Sequence, residues 1–423
     1  MTTLTHTRIF ILAIFLVMAV SAKAQSSTIV LTNPLSTERK DELIVLSKQI
    51  LEKKLGKIGN DKFIIIKNNA GRPLVVQYDD RNGDGNWDEA VFLYSFRPKE
   101  KMVCTIAVSE RPATIKALVR AHVRLRRKNP DDTFGPAIDS ETMPLKNPAT
   151  DFSKQPLPLY LTEGPAWEND KVAFRQYMDM RNGRDIFGKR VSHMVMDSVG
   201  VTALPSYHDL NDWGMDVLHV GKSLGAGAIA LQVKIRGRDT LIRLGGADIT
   251  KTVYRQVSNG PVRAIFSMKY TWTINGKPVQ ITDETSIWGG QYFYETKITL
   301  RGLPTGAKLV EGIANFNENK SKHFEVNNAA VLYSHGKQGE NKDELGMGIL
   351  VRKLGFAGFG ATPDAGSDIL NTYTVAQNIQ YQPLIYRFYA GWVKTDSRFA
   401  DAGYFENFLR SETKKIDMPV SIF

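Results

Sequence analysis

The sequence predicts a mainly β protein: an antiparallel β-sandwich preceded by a small N-terminal β-module. Three observations carry that expectation. Short runs rich in Val, Ile, Thr, Tyr and Phe recur along the 423 residues, separated by turns such as Asn275-Gly276-Lys277-Pro278 and Gly302-Leu303-Pro304. Strands punctuated in this way by Gly and Pro belong to sandwiches. The runs do not alternate with helical segments, so the βαβ signature of a parallel sheet is missing, and no internal repeat is detectable.

Residues 1–24 read as a secretory leader. A polar start ends in Arg8, Ile9 to Val20 is apolar, and Ala22-Lys23-Ala24 fits the small-x-small cleavage rule. The apolar run falls short of the roughly 20 residues that span a bilayer, and no later stretch reads as a membrane span. The mature chain is therefore expected to be exported and periplasmic, starting at Gln25. Cys104 is the single cysteine, so no internal disulfide can form, and its apolar neighbours mark a buried, inert thiol. A large exported chain without disulfides suits a periplasm, where a big core replaces covalent links.

Residues 25–128 read as a helix plus a small β-module. Leu43, Leu46, Ile50 and Leu55 recur at near-helical spacing, which predicts one amphipathic helix over Glu38 to Leu55. Strands are expected at Phe63–Ile66, Leu74–Tyr78, Ala90–Phe96, Met102–Val108 and His122–Arg126. Residues 129–165, rich in Pro, Asp, Ser and Thr and without periodicity, read as a linker or wrapping loop. The large sandwich follows over 166–423, with strands expected at Ala173–Met180, Gly227–Ile235, Val262–Ile274, Val279–Trp288, Tyr292–Leu300 and Leu384–Val393.

The formal charge is +11 and remains strongly positive without Arg8 and Lys23. Export excludes nucleic acid as a partner, and the sign of the field suits an anionic sugar, a uronate or a sulfate ester. Asp80-x-Asn82-x-Asp84-Gly85-x-x-Asp88 places side-chain oxygens as a calcium loop does, but Val91 stands where the bidentate Glu belongs. A bound calcium and a plain polar hairpin turn both fit. Gly221-Lys222-Ser223-Leu224-Gly225 has the spacing of a nucleophile elbow, yet a strand rather than a helix follows it. It is not a phosphate loop either, because Asp216 occupies the first Gly position. No His pair has zinc-ligand spacing.

The densest chemistry lies in Tyr207-His208-Asp209-Leu210-Asn211-Asp212-Trp213-Gly214-Met215-Asp216, which holds a phenol, an imidazole, three carboxylates and an indole. Such a loop at a sheet edge is a usual place for a polar-ligand site. Read as one strand, Ala173–Met180 and its continuation put Arg175, Tyr177, Asp179 and Arg181 on one face. Two guanidiniums there could clamp a sugar carboxylate; the same row equally fits a solvated face with cross-strand ion pairs. His122 opens an alternating basic strand with Arg124 and Arg126.

Several motifs together resemble a family. They are Gly164-Pro165-Ala166-Trp167-Glu168-Asn169-Asp170, Asp185-Ile186-Phe187-Gly188-Lys189, Trp213-Gly214-Met215-Asp216-Val217 and Val220-Gly221-Lys222-Ser223-Leu224-Gly225. They resemble a secreted Bacteroidota family of formerly unknown function from polysaccharide-utilisation loci, similar to the oligosaccharide dehydratases of ulvan degradation. The resemblance spans most of the mature chain. It implies a supersandwich of the galactose-mutarotase type and a lyase that removes water from the non-reducing-end uronic acid, leaving a 4,5-unsaturated uronyl end. That chemistry needs a neutralised carboxylate, a base for the C5 proton and an acid for the leaving hydroxyl. Arg175 and Arg181 are the candidate clamps; Tyr177, Tyr207, His208 and His122 are the candidate acid and base; Trp167 and Trp213 are candidate platforms for sugar faces. Two other activities compete: an epimerase or mutarotase using a His with Asp283 or Glu284, and a glycan-binding sandwich using its Trp and Tyr residues alone. No metal centre or cofactor is expected beyond calcium in the Asp80 to Asp88 loop.

Overall fold

Alternation of buried and exposed side chains organises the main sheet. In Arg263–Ile274, Phe266, Met268, Tyr270 and Trp272 are buried while Lys269 and Thr273 face solvent, the period of two that a half-buried strand requires. A computed structural model describes residues 25–235, 237–246, 249–274, 276–317 and 320–423; the expected leader lies outside the described residues.

Nine antiparallel strands form that sheet, running from Ser140–Thr142 through Ile249–Asn259, Arg263–Ile274, Lys277–Trp288, Phe293–Arg301, Leu384–Trp392, Leu345–Arg352 and Ala329–Gly336 to Lys322–Val326. Two five-stranded sheets pack on its inner face, joined by an Arg184–Gly225 bridge. One contains Ala226–Ile235 and Lys308–Ala314. The other contains Gly214–Asp216, Arg184–Lys189, Val172–Gln176, Ala166–Asn169 and Ala121–Arg124. Trp167 and Phe174 meet Phe266 and Tyr294 across the interface, with ring centroids 4.9–5.3 Å apart. The protein is thus mainly β and sandwich-built. Helix Ala402–Asp417 covers the outer face of the nine-stranded sheet, where Gly346 leaves room for the Phe405 ring, 2.7 Å from where a Cβ would stand.

The N-terminal module has its own core. Ser26–Thr32, Lys101–Ser109 and Phe63–Lys67 form one sheet with the chain's last strand, Ser421–Ile422; Arg39–Ser47, Glu89–Phe96 and Gln77–Asp79 form the other. Cys104 is buried between them, and burial lifts its thiol pKa to about 11. The helix expected from Glu38 begins only at Lys48. Arg39–Ser47 is a strand, because Ile44 and Leu46 are buried on alternate positions, and Ser47 then caps the helix by accepting from the Ile50 amide. The strand expected at His122–Arg126 runs Ala121–Arg124 and pairs with Ala166–Asn169, so it belongs to the sandwich and not to the module. Residues 129–165 are not wholly irregular: Phe134–Ala137 pairs with Arg126–Lys128, and Ser140–Thr142 forms the edge of the nine-stranded sheet. The Asp80 to Asp88 segment is a hairpin loop whose carboxylates accept its own amides, Asp80 from Gly83 and Gly85 and Asp88 from Arg81. Among the described residues no group of three or more His, Cys, Asp or Glu side chains is arranged to hold a metal ion. None of the helices there is long and apolar enough to cross a membrane.

Polar groups inside the sandwich are paired with one another. Arg184 is fully buried and donates to Asp283 (2.8 Å), Thr285, Thr296 and Tyr386. Removing one member strands the other in a dry interior. Asp283→Ala is expected to destabilise the fold by about 3–5 kcal/mol, read as a lower urea midpoint. Glu311, also fully buried, accepts from Gln377 at 2.7 Å, while its other oxygen has no partner. Burial raises its pKa from 4.5 to about 8. The folded chain therefore keeps a proton that the unfolded chain releases, so this contribution is complete below about pH 4.5 and is lost as pH rises through about 8. Glu311→Gln should remove a loss on the order of a few kcal/mol between those limits; denaturation of both proteins at several pH values checks it.

Candidate active site

The sheet that ends in Gly214–Asp216 is buried on both faces. Val123, Trp167, Phe174, Ile186 and Met215 point into the sandwich. Arg124, Glu168, Arg175, Asp185, Lys189 and Asp216 alternate with them and point the other way, under a roof made by residues 157–164 and 190–213. Glu168 ties the roof down. It accepts from the Val195 and Met196 amides at 2.7–3.0 Å and from Lys189 at 2.5 Å.

The roof turn at Leu161 to Gly164 is strained. Thr162 and Glu163 adopt φ 50° and 64°, and a Cβ on Gly164 would lie 2.0 Å from the Gln176 carbonyl. Each left-handed non-glycine residue costs about 1–2 kcal/mol. Arg124 offsets that cost from below. It is fully buried and donates to the carbonyls of Leu161, Gly164 and Met196 and to the Thr162 hydroxyl, at 2.9–3.0 Å. Burial pulls its pKa down to about 10, although Asp197 and Glu168 oppose the shift. The result is a Glu163 carboxylate held over the sheet.

Arg175 is the centre of what lies beneath. Its Nη1 donates to Glu163 (3.0 Å), the Thr162 carbonyl (3.2 Å) and the Tyr207 hydroxyl (3.3 Å). Its Nη2 donates to Tyr177 (2.7 Å), Asp185 (2.7 Å) and Asp216 (3.0 Å). Tyr177 in turn donates to Asp185 at 2.9 Å. Arg181 bridges Asp179 and Glu163 at 2.6 Å each, with its guanidinium 3.7 Å from the centre of the Tyr177 ring. Two cations thus face four carboxylates: Glu163, Asp179, Asp185 and Asp216. Burial, reinforced by Asp185, raises the Asp216 pKa well above the carboxylate range although Arg175 opposes it. Burial and the Asp185 charge thus favour the protonated form of Asp216, which would reduce the surplus negative charge.

Two of these groups reach the surface. Tyr207 is half-buried, and burial raises its phenol pKa while Arg175 lowers it less. His208 follows it, with ring centroids 4.5 Å apart and its side chain 56% exposed. Its Nδ1 lies 3.6 Å from Asp216, so Nε2 is left toward solvent. Desolvation and then Arg175 lower the His208 pKa, so the imidazole is neutral at pH 7.

The structure brings together Arg175, Tyr177, Arg181, Tyr207 and His208, but it changes the row expected of them. Val172–Gln176 is the strand; Tyr177 and Arg181 sit in the turn that follows. Arg175 is no open clamp for a substrate carboxylate, because protein groups occupy its donors. His122 lies apart. It is four strands from Asp216 in register, roughly 19 Å, and it contacts Asn259 and Asp197. Trp167 is 1% exposed within the sandwich core and presents no face to a sugar. Trp213 is partly buried, stacked on Phe187 at 6.2 Å. Asp283 is sealed in the interior with Arg184, and Glu284 is paired with Arg81 at 2.6 Å, so neither approaches a histidine of the site. Glu163, Asp185 and Asp216 were missing from the expected set. Asp185 stands directly opposite Arg175 on the next strand, so hairpin register could have found it. Glu163 depends on a left-handed turn that residue patterning does not reveal.

Comparison with known proteins places the chain. The uncharacterized protein P7 of Formosa agariphila is 24% identical over 283 residues, covering 62% of this chain and 67% of its own length. Among solved structures, an α-mannosidase from Enterococcus faecalis V583 aligns with a TM-score of 0.48 at 11% identity, over 94% of this chain and 46% of that one. A glycosyl hydrolase family 38 protein from Enterococcus faecalis aligns at 0.46 and 11%, over 94% and 47%. The chain spans less than half the length of these two solved proteins. The model of DUF4861, a domain of unknown function, matches residues 31–422, and the chain belongs to that family.

Proposed function

We propose that the chain is an exported carbohydrate lyase of the dehydratase type, acting on the non-reducing-end uronic acid of ulvan-type oligosaccharides. One observation carries the reading: Tyr207 and His208 are adjacent at the mouth of the Arg175 cluster, with pKa values displaced in opposite directions. A neutral imidazole is a base at pH 7, and a phenol that keeps its proton at that pH has one to give. His208 Nε2 takes the C5 proton, the C4–O bond breaks as Tyr207 protonates the departing hydroxyl, the C4–C5 double bond forms, and water leaves. Tyr177 restrains the Arg175 guanidinium by accepting from it at 2.7 Å. Asp185 and Asp216 share one Arg175 nitrogen and are hydrogen-bonded to each other.

His208→Ala and Tyr207→Phe are each expected to lower kcat about 10²- to 10⁴-fold on uronate-ended ulvan oligosaccharides. Turnover is followed by ultraviolet absorbance of the unsaturated product and by loss of one water in its mass. Because the base works in its neutral form and its pKa is lowered, the wild-type kcat/KM should fall only below about pH 6.5. Full turnover by His208→Ala, or anomer interconversion without loss of water, refutes the assignment.

A further inference from the structure

We infer that the cleft beside this cluster is an anion-recognising subsite for the rest of the oligosaccharide, with Lys222 as its specificity residue. The inference deepens the lyase reading and rests on it for the class of ligand. The cleft has a volume of about 610 Å³ and shares Arg181, which binds Glu163, with the Arg175 cluster. Met180, Ile235, Ile242 and Ile249 contribute aliphatic surface, and among the described lining residues Arg181, Lys222 and Arg243 bring three cations against one carboxylate, that of Asp368.

The cations have different duties. Arg243 is 6% exposed and saturated. It pairs with Asp368, donates through Nη1 to the Arg181 carbonyl at 2.6 Å, and donates through Nη2 to the Lys222 carbonyl at 2.5 Å. One buried guanidinium therefore fixes the backbone of both other cations. The Leu370 amide also donates to the Lys222 carbonyl. The rest of the Gly221 to Gly225 motif supports the same turn. Gly221 and Gly225 take φ 48° and 67°, and the buried Ser223 hydroxyl donates to the Val220 carbonyl and accepts from the Gly225 amide. The serine is thus a turn-closing group and no nucleophile. Lys222 is exposed, and its Nζ has no hydrogen-bond or ion-pair partner among the described residues.

A cation held at its backbone, left unpaired at its tip and placed over an aliphatic floor suits a sugar ring that bears a carboxylate or a sulfate ester. Arg175, being saturated, does not supply that charge, whereas Lys222 is free to do so.

Calorimetric binding of four-unit ulvan oligosaccharides, native and chemically desulfated, tests the assignment. The wild-type chain is compared with Lys222→Ala, Lys222→Glu and Lys222→Arg. Alanine should weaken binding about tenfold at low salt, glutamate further, and arginine should restore it, with the alanine loss shrinking as salt rises. A loss confined to the sulfated probe assigns the sulfate as the bound group; an equal loss with both assigns the carboxylate. Lys222→Glu binding both probes as tightly as wild type overturns the subsite and leaves the lyase reading intact. Wild-type binding without release of water overturns the lyase reading and leaves the subsite intact. A wild-type chain that binds neither probe overturns the subsite.

Discussion

A guanidinium removed from water must have its charge and its donors satisfied on the spot, and Arg175 imposes that demand on everything around it. Desolvating one ion costs several kcal/mol, so the surroundings have to supply oxygens in the guanidinium plane. They come from the neighbouring strand (Asp185), the edge strand (Asp216), the turn after its own strand (Tyr177) and the roof (Glu163, Thr162 and Tyr207). Segments far apart in the chain therefore meet at one side chain. The strained turn at Thr162 and Glu163 has its reason here, as does Gly164, the residue that lets the roof approach the Gln176 carbonyl.

The same demand sets the protonation states at the surface. With four carboxylates near two arginines, proton retention is favoured at Asp216, whose pKa burial and Asp185 raise. His208 feels the arginine's positive charge beside its own desolvation and stays neutral. Tyr207 donates no bond to Arg175 but accepts one, which leaves the phenolic hydrogen available to something outside the protein. The proposed base and acid would thereby be separated by environment, the pattern by which enzymes assign such roles.

Much of the architecture could be read from residue patterning, because strands of the nine-stranded sheet bury alternate residues over as many as a dozen positions, as Arg263–Ile274 and Lys277–Trp288 do. The reading failed where two periods coincide. Leu43, Leu46 and Ile50 suit a helix, whereas Ile44 and Leu46 suit the strand that forms, and the module's core decided between them. For the site, Arg175, Tyr177, Arg181, Tyr207 and His208 announced themselves by local chemical density. His122 and Trp167 did so too, but their places depend on register and on which sheet face is inward. Trp167 faces the sandwich because it alternates with Ala166 and Glu168 on a strand buried on both sides, and no property of an indole distinguishes a core position from a platform.

The chain's strong net positive charge is a poor guide to where an anion would be held. Arg124 is spent on carbonyls, Arg175 on carboxylates, Arg184 on the interior, and Arg243 on Asp368 and three backbone carbonyls besides that of Asp368. These buried arginines are structural cross-links whose charge is cancelled or whose donors are exhausted. Under the proposed function, recognition of a charged sugar would fall to cations with spare donors at a cleft, and a fixed backbone lowers the ordering cost of binding although the lysine stem still loses rotamer freedom. Arg243 performs that fixing for Arg181 and Lys222 together. Arg175, a ligand binder by its place in the sequence, is part of the frame, and the lysine inside a misleading Gly-Lys-Ser motif is the cation that our proposal assigns to the ligand.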